Sequence, residues 1–117
     1  MVKSQQQEPP MTLPAPIETY FTAEAPQEGA RFAAAFAPEA IVHDEGKSHR
    51  GPAEIEAWWK AAKAKYRHRA EPLEVTEARG KTVVRARVSG HFPGSPAMLT
   101  FTFGLSGDRI TDLRIGG

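Results

Sequence analysis

Asp44 and Tyr20 are the residues of this chain best suited to move a proton on a small molecule. A carboxylate is an effective base near neutral pH when apolar surroundings raise its pKa. A phenol donates a hydrogen bond to an oxygen on which negative charge develops. Twenty-four residues separate the two, so different elements of the fold must bring them together. In the simpler alternative, Asp44 caps a turn and Tyr20 is a core residue with a bonded hydroxyl.

Aromatic residues at several points of the chain predict the walls of a pocket. Rings of this size also form ordinary cores, so burial without ligand contact is the competing interpretation. A histidine shortly after the candidate base adds a polar contact. The predicted ligand-binding residues are Trp58, Trp59, Phe21, Phe101, Phe103 and His49.

The two adjacent tryptophans lie on a predicted helix, from which only one of them can point fully inward. Trp58 lies on the apolar stripe with Ile55 and Ala62, whereas Trp59 shares an edge of it with Ile55 and Tyr66.

A metal site is the alternative use of the polar residues around the candidate base. Neighbouring residues of a strand point to opposite faces, so His43 and Asp44 share a metal only if the strand breaks there. The usual spacings, His-x-Asp with a distant His or His and Glu one helical turn apart, do not occur. We therefore expect a polar loop around Glu45 and His49, with no metal. No phosphate loop or dinucleotide fingerprint occurs, so we expect no cofactor.

The composition describes a globular chain and argues against several kinds of partner. The 117 residues fit one domain, and 15 basic against 14 acidic side chains give a formal net charge of +1. A balanced charge gives no general attraction to nucleic acid, and the basic run at residues 60–69 is typical of a solvated helix face. The chain has no cysteine, which fits the cytoplasmic location that we expect. No apolar run approaches the roughly 20 residues of a membrane span.

The first half of the sequence has the periodicity of helices, and these elements must position the candidate residues. Pro14 precedes a first helix, whose apolar stripe includes Tyr20. A second, short helix contains Phe32, Ala35 and Phe36 and is predicted to end at Pro38. Pro52 opens a third helix, which carries the tryptophans. A short strand over residues 41–44, rich in β-branched side chains, precedes this helix and ends at the candidate base.

The second half alternates with a period of two, as half-buried strands do. Turn residues, among them Gly80, Gly94 and Gly107, separate the alternating segments. The pattern predicts a meander of four longer strands, with the short strand inserted early. These strands cover residues 73–77, 82–90, 98–105 and 110–115. Helices followed by strands favour an α+β fold over a parallel nucleotide-binding sheet.

The order of elements resembles the nuclear transport factor 2-like superfamily, and in particular its SnoaL-like and ketosteroid isomerase-like branch. The resemblance extends over about residues 13–115. It rests on the segment at residues 36–44, on Gly46, Gly51, Ile55 and Trp58, and on the late segment at residues 107–110. It implies a cone-shaped α+β domain over residues 13–117, with a curved antiparallel or mixed sheet packed on three helices. Residues 1–12 would precede this domain as a flexible tail.

The resemblance also implies roles for single residues. Asp44 matches the general base of the ketosteroid isomerase-like members by position, and Tyr20 matches the phenol that donates to the substrate oxygen. The worked example of that chemistry has a second, protonated aspartate, whereas residues 99–103 contain no acid here. This departure argues against steroid isomerisation and leaves generic proton transfer open.

Two functions follow as expectations from these residues and from the resemblance. The first is a cofactor-independent isomerase, cyclase or lyase, similar to polyketide cyclases, that acts on a small apolar molecule. The second is a non-catalytic module of the same fold that binds a ligand or dimerises. The resemblance further implies a homodimer formed through the outer face of the sheet.

Overall fold

The structure is a computed structural model, and it describes residues 12–117. Except for Thr12, the tail predicted for residues 1–12 lies outside the described residues. The α-helices are α1 (Ala15–Thr22), α2 (Gly29–Ala34) and α3 (Gly51–Tyr66), with a 3-10 turn (Pro26–Glu28) before α2. The strands are β1 (Phe36–Asp44), β2 (Lys47–Arg50), β3 (Arg69–Ala78), β4 (Lys81–Ser89), β5 (Ala97–Ser106) and β6 (Arg109–Gly116).

The six strands form one mixed sheet in the order β2-β1-β6-β5-β4-β3. Strands β3 to β6 form an antiparallel meander, as predicted, and β1 pairs with β6 in parallel. The parallel pair is possible because β2, α3 and strands β3 to β5 separate β1 from β6 in the chain, which gives the connection ample length. The predicted α+β class, with a curved sheet packed on three helices, is confirmed.

One apolar core lies between the helices and the inner face of the sheet. Strand β4 shows the predicted alternation, with Val84, Ala86 and Val88 buried and Arg85 and Arg87 exposed. The largest fully buried side chains come from all layers of the fold: Phe32, Phe36, Phe103, Ile17, Ile55, Ile110, Leu113, Val42 and Val84.

Strand β1 begins earlier than predicted, and the prediction that a second helix extends through Phe36 to Pro38 is wrong. Helix α2 ends at Ala34, and Phe36 already pairs with Ile110 of β6. The register with β6 then shifts before Ile41, and β2 pairs only from Ile41 onward. Pro38 therefore lies where neither neighbouring strand requires a backbone N–H, so a proline is tolerated inside this strand.

Strand β2 was not predicted, because its four residues have no apolar alternation. Lys47, Ser48 and Arg50 are exposed, and within residues 12–117 the backbone of this strand pairs with β1 alone. The turn of that hairpin is Glu45-Gly46, and both residues have positive φ, 53° and 76°. Two such residues form the tight turn that fits the twist of an antiparallel hairpin.

Strand β3 begins at Arg69, four residues before the predicted start at Leu73. The pairing with β4 shifts register between Pro72 and Glu74, so Leu73 is the extra residue of a bulge. This bulge explains why Leu73 is 42% exposed instead of joining the buried face.

The outer face of the sheet carries threonine, arginine and methionine side chains. Met98 is 41% exposed, and Arg87 forms an ion pair with Glu71 across β4 and β3. The homodimer expected through this face stays a prediction. No helix within residues 12–117 has both the length and the apolar character needed to cross a membrane.

Gly90 allows the end of β4 to approach the segment that follows α3. A Cβ atom at this position would lie 2.7 Å from the carbonyl oxygen of Tyr66 and 2.8 Å from the Cα atom of His68. The next residue donates its backbone N–H to the same Tyr66 oxygen, at 2.6 Å.

We expect Gly90→Ala to lower the free energy of unfolding by about 1–3 kcal/mol, because two backbone segments must move apart. Urea denaturation measures the change. Gly116→Ala is the matched control, since a Cβ there meets no atom within 4 Å. Equal stability of the two variants would contradict the close-approach explanation.

Candidate functional site

A cavity of about 650 Å³ lies between α1, α3 and the inner face of the sheet. Its size is within the range of small-molecule sites in proteins. Side chains from α1, α3 and all six strands line it, together with the turn after β1 and the loop after β4. The cavity reaches the surface at four of its lining residues, which are exposed to solvent: Glu45, Ala61, Lys65 and Pro93.

Asp44 lies at this cavity because it is the last residue of β1, next to the tight hairpin turn. The indole Nε1–H of Trp58 donates a hydrogen bond to Oδ2 of Asp44, at 3.3 Å. The acid is half-buried. Among residues 12–117 no other side chain bonds this carboxylate, which also accepts from the backbone N–H of Glu45.

The surroundings of Asp44 raise the pKa of its carboxyl above the usual value. Loss of hydration is the largest cause, and the neighbouring Glu45 carboxylate adds repulsion. The hydrogen bond from Trp58 and the nearby His49 act in the opposite direction. A carboxylate with a raised pKa holds a proton more strongly and is therefore a better base than an exposed one.

Tyr20 lines the same cavity as Asp44, so the fold brings together the two residues separated by α2 and β1. Five aromatic rings surround its own ring with centroid distances of 5.1–6.4 Å, those of Phe21, Phe32, Phe36, Phe101 and Phe103. Burial raises the pKa of the phenol well above its usual value, and the Asp44 charge raises it further. The hydroxyl therefore stays protonated at neutral pH, and it makes no hydrogen bond to any residue in the described part of the chain.

The two tryptophans are buried in the opposite order to the one that the apolar stripe predicted, since Trp59 and not Trp58 points into the core. Trp59 is 3% exposed and stacks on Phe32 with a centroid distance of 4.5 Å. Trp58 is half-buried. Its indole N–H donates the hydrogen bond to Asp44, and its ring stacks on that of His49 with a centroid distance of 5.5 Å. Both line the cavity, but Trp58 forms part of the polar end and Trp59 continues into the core.

Of the other predicted ligand-binding residues, Phe21, Phe101 and His49 line the cavity. Phe103 does not, and its place in the prediction is corrected. It is fully buried behind the wall, where its ring packs on Tyr20 and Phe21. Residues two apart on a strand share a face, but the Phe103 ring packs edge-on against the Tyr20 ring, with centroids 5.4 Å apart, and does not line the cavity.

His43 lies outside the main cavity, as the alternation along β1 predicts. Its ring Nδ1 is 3.1 Å from the hydroxyl of Ser48 on β2. Among residues 12–117, no three His, Asp or Glu side chains are grouped as the ligands of a metal would be.

A second polar group lines the cavity, formed by Glu24, Lys63 and His68. The Lys63 ammonium donates to Oε1 of Glu24 at 3.0 Å and to the backbone oxygen of His68 at 2.8 Å. Burial and the Lys63 charge lower the pKa of His68 to about 4, so its ring is neutral at pH 7. Sequence reasoning assigned Lys63 to a solvated face, although its position four residues after Trp59 places the two side chains together.

We expect Asp44→Asn to make the protein more stable relative to the wild type as pH rises from about 4 to 7. The raised pKa means that folding opposes ionisation of Asp44, so this ionisation lowers wild-type stability as pH rises. An asparagine keeps an acceptor oxygen for Trp58 and does not ionise. Urea denaturation at several pH values measures the difference, with the exposed Asp108→Asn as control. A stability difference that does not change with pH would contradict this interpretation.

Comparisons with known proteins identify the family. Residues 17–115 match the SnoaL-like domain. A candidate polyketide cyclase from Sinorhizobium meliloti is 45% identical, with a TM-score of 0.82 over 88% of this chain and 94% of that one. A ketosteroid isomerase-like protein from Catenulispora acidiphila, in complex with trimethylamine, is 18% identical, with a TM-score of 0.77 over 91% and 87% of the two chains.

A third solved structure, an LEH-like epoxide hydrolase of M. tuberculosis, is 11% identical, with a TM-score of 0.70 over 87% of this chain and 79% of that one. The last two likenesses show the fold alone. No curated protein matches the chain. The match over residues 17–115 and the 45% identity show that this chain belongs to the SnoaL-like domain family.

Proposed function

We propose that this protein is a cofactor-independent enzyme that moves a proton next to the carbonyl group of a small, mainly apolar molecule. The observation that carries the proposal is the shared cavity of Asp44 and Tyr20. One supplies a carboxylate whose pKa is raised, and the other a protonated phenol with no partner among residues 12–117. Together they are the base and the hydrogen-bond donor that enolisation requires.

The reaction begins when Asp44 takes a proton from the carbon beside the carbonyl. The electron pair of the broken C–H bond forms a C=C bond, and the carbonyl π electrons move to oxygen. Tyr20 donates a hydrogen bond to the resulting enolate oxygen. In an isomerisation, Asp44 returns the proton to another carbon of the same system. In a cyclisation, the enolate carbon attacks a second carbonyl carbon, and the oxygen of that carbonyl takes the proton from Asp44, which restores the base.

The walls of the cavity favour this chemistry over hydrolysis. Phe21, Trp59, Leu99 and Phe101 present apolar surface to a ligand. Such surface excludes water from the reacting carbon and strengthens the hydrogen bond to the enolate oxygen. The likeness to a candidate polyketide cyclase, at 45% identity, supports cyclisation as one outcome of the same proton transfer.

A non-catalytic ligand-binding module is the second candidate. Strand β5 contributes Leu99 and Phe101 to the cavity and no acid, so Tyr20 alone would stabilise the enolate oxygen. This observation favours binding without turnover.

The exchange of carbon-bound protons for deuterium distinguishes the two candidates. With 2-tetralone in D₂O, followed by proton NMR, we expect the protein to accelerate exchange at the carbons beside the carbonyl. Asp44→Asn should lower that acceleration by about 10²–10⁴-fold, as loss of a general base does. Tyr20→Phe should lower it by about 10- to 1,000-fold through loss of one oxyanion donor.

Asp108→Asn, in the exposed turn between β5 and β6, is the matched control and should exchange like the wild type. Exchange that survives Asp44→Asn unchanged would remove Asp44 from the mechanism. Binding of the ketone with no acceleration by the wild type would establish the non-catalytic candidate instead.

A further inference from the structure

Lys63 is a nearly buried cation, and it lines the cavity next to Glu24 and His68. Its side chain is 9% exposed, whereas that of Lys60, one turn earlier on α3, is 46% exposed. The Lys63 ammonium also lies 5.9 Å from the centre of the Trp59 ring. A cation so far from water is costly unless nearly all of its hydrogen-bond donors have acceptors.

The acceptors around Lys63 leave one of its donors free. An ammonium group has three N–H bonds. One goes to Oε1 of Glu24 and one to the backbone oxygen of His68. The third has no acceptor within residues 12–117, and Lys63 lines the cavity. A ligand oxygen placed there would satisfy it.

The charges at this end favour a neutral ligand group. Glu24 already compensates the Lys63 charge at 3.0 Å. A ligand carboxylate on the same ammonium would face the Glu24 carboxylate, and like charges at such distances repel. His68 lines the same end and carries no charge at pH 7, so it adds no second cation that would attract an anionic ligand group.

The spacing along α3 indicates the length of the ligand. Trp58 hydrogen-bonds to Asp44, and Lys63, five residues later on α3, lines the same cavity. At 1.5 Å per residue the two positions are about 7.5 Å apart along the helix axis. A ligand of two fused six-membered rings with an oxygen at each end has a length of this order.

We propose that Glu24, Lys63 and His68 form a specificity subsite that binds a neutral hydroxyl or carbonyl group at the end of the ligand away from Asp44. The orientation of the ligand, with its reacting carbonyl at Tyr20, rests on the proposed function. The preference for a neutral oxygen at Lys63 requires only binding.

Calorimetric titration of two matched ketones tests the subsite. The probes are 2-tetralone and 6-hydroxy-2-tetralone, which differ only by a hydroxyl at the far end. We expect the wild type to bind the hydroxylated ketone about tenfold more tightly, since a hydrogen bond to a charged donor contributes about that factor. Lys63→Met should abolish the difference, and Lys60→Met should retain it.

The ratio of the two affinities separates a binding role from a structural one. Lys63 also bonds the backbone just after α3, so its loss could weaken the fold and lower both affinities. That structural effect would leave the ratio unchanged. Equal affinities in the wild type, a ratio that Lys63→Met does not change, or no binding of either ketone would overturn the proposal.

Glu24→Gln provides a second test that leaves Lys63 in place. The variant removes the compensating charge, so we expect it to bind 6-carboxy-2-tetralone at least tenfold more tightly than the wild type does. A wild type that prefers the carboxylate over the hydroxylated ketone would contradict a subsite for neutral groups. If the wild type prefers the hydroxylated ketone but does not accelerate deuterium exchange, only the proposed function is rejected. If it accelerates deuterium exchange but does not prefer the hydroxylated ketone, only the subsite is rejected.

Discussion

The aromatic packing around Tyr20 is the interaction on which both the fold and the site depend. Rings from α1, α2, β1 and β5 contact the Tyr20 ring, so one side chain joins the helical layer to the sheet. Aromatic pairs with these separations add stability beyond their buried area. Because the ring is fixed from all sides, its hydroxyl is held toward the cavity that Asp44 also lines.

The same apolar packing has opposite effects on the folding stability of the protein and on the basicity of Asp44. An acid in such surroundings ionises less readily, and this property makes Asp44 a better base while it costs folding free energy at neutral pH. Trp58 limits the cost with one hydrogen bond to a single oxygen. In the same cavity, Glu24 and the His68 carbonyl oxygen accept hydrogen bonds from Lys63 in a similar way. The cavity thus contains two partly satisfied polar groups separated by aromatic walls.

Sequence periodicity predicted the helices and the meander because their buried faces repeat regularly, as in the alternation of β4. It failed where backbone pairing decided the structure: Pro38 is inside a strand because no neighbour needs its N–H, and β2 forms through a turn despite its exposed side chains. The chemistry of the residue types suggested Asp44 and Tyr20 as a pair, and the family resemblance assigned their roles. The Lys63 group was missed because its partners, Glu24 and His68, lie on separate segments that only the tertiary fold brings together.

The proposed chemistry requires Asp44 to be a desolvated carboxylate that can accept a proton. Carbon-13 NMR of protein labelled at the aspartate carboxyl carbon measures this directly, with Asp44→Asn identifying the resonance. The structure predicts a titration midpoint clearly above the usual aspartate value of 3.8. A midpoint at or below that value would mean that the carboxylate is well solvated or strongly stabilised as an ion, and would contradict the account of Asp44 as a base.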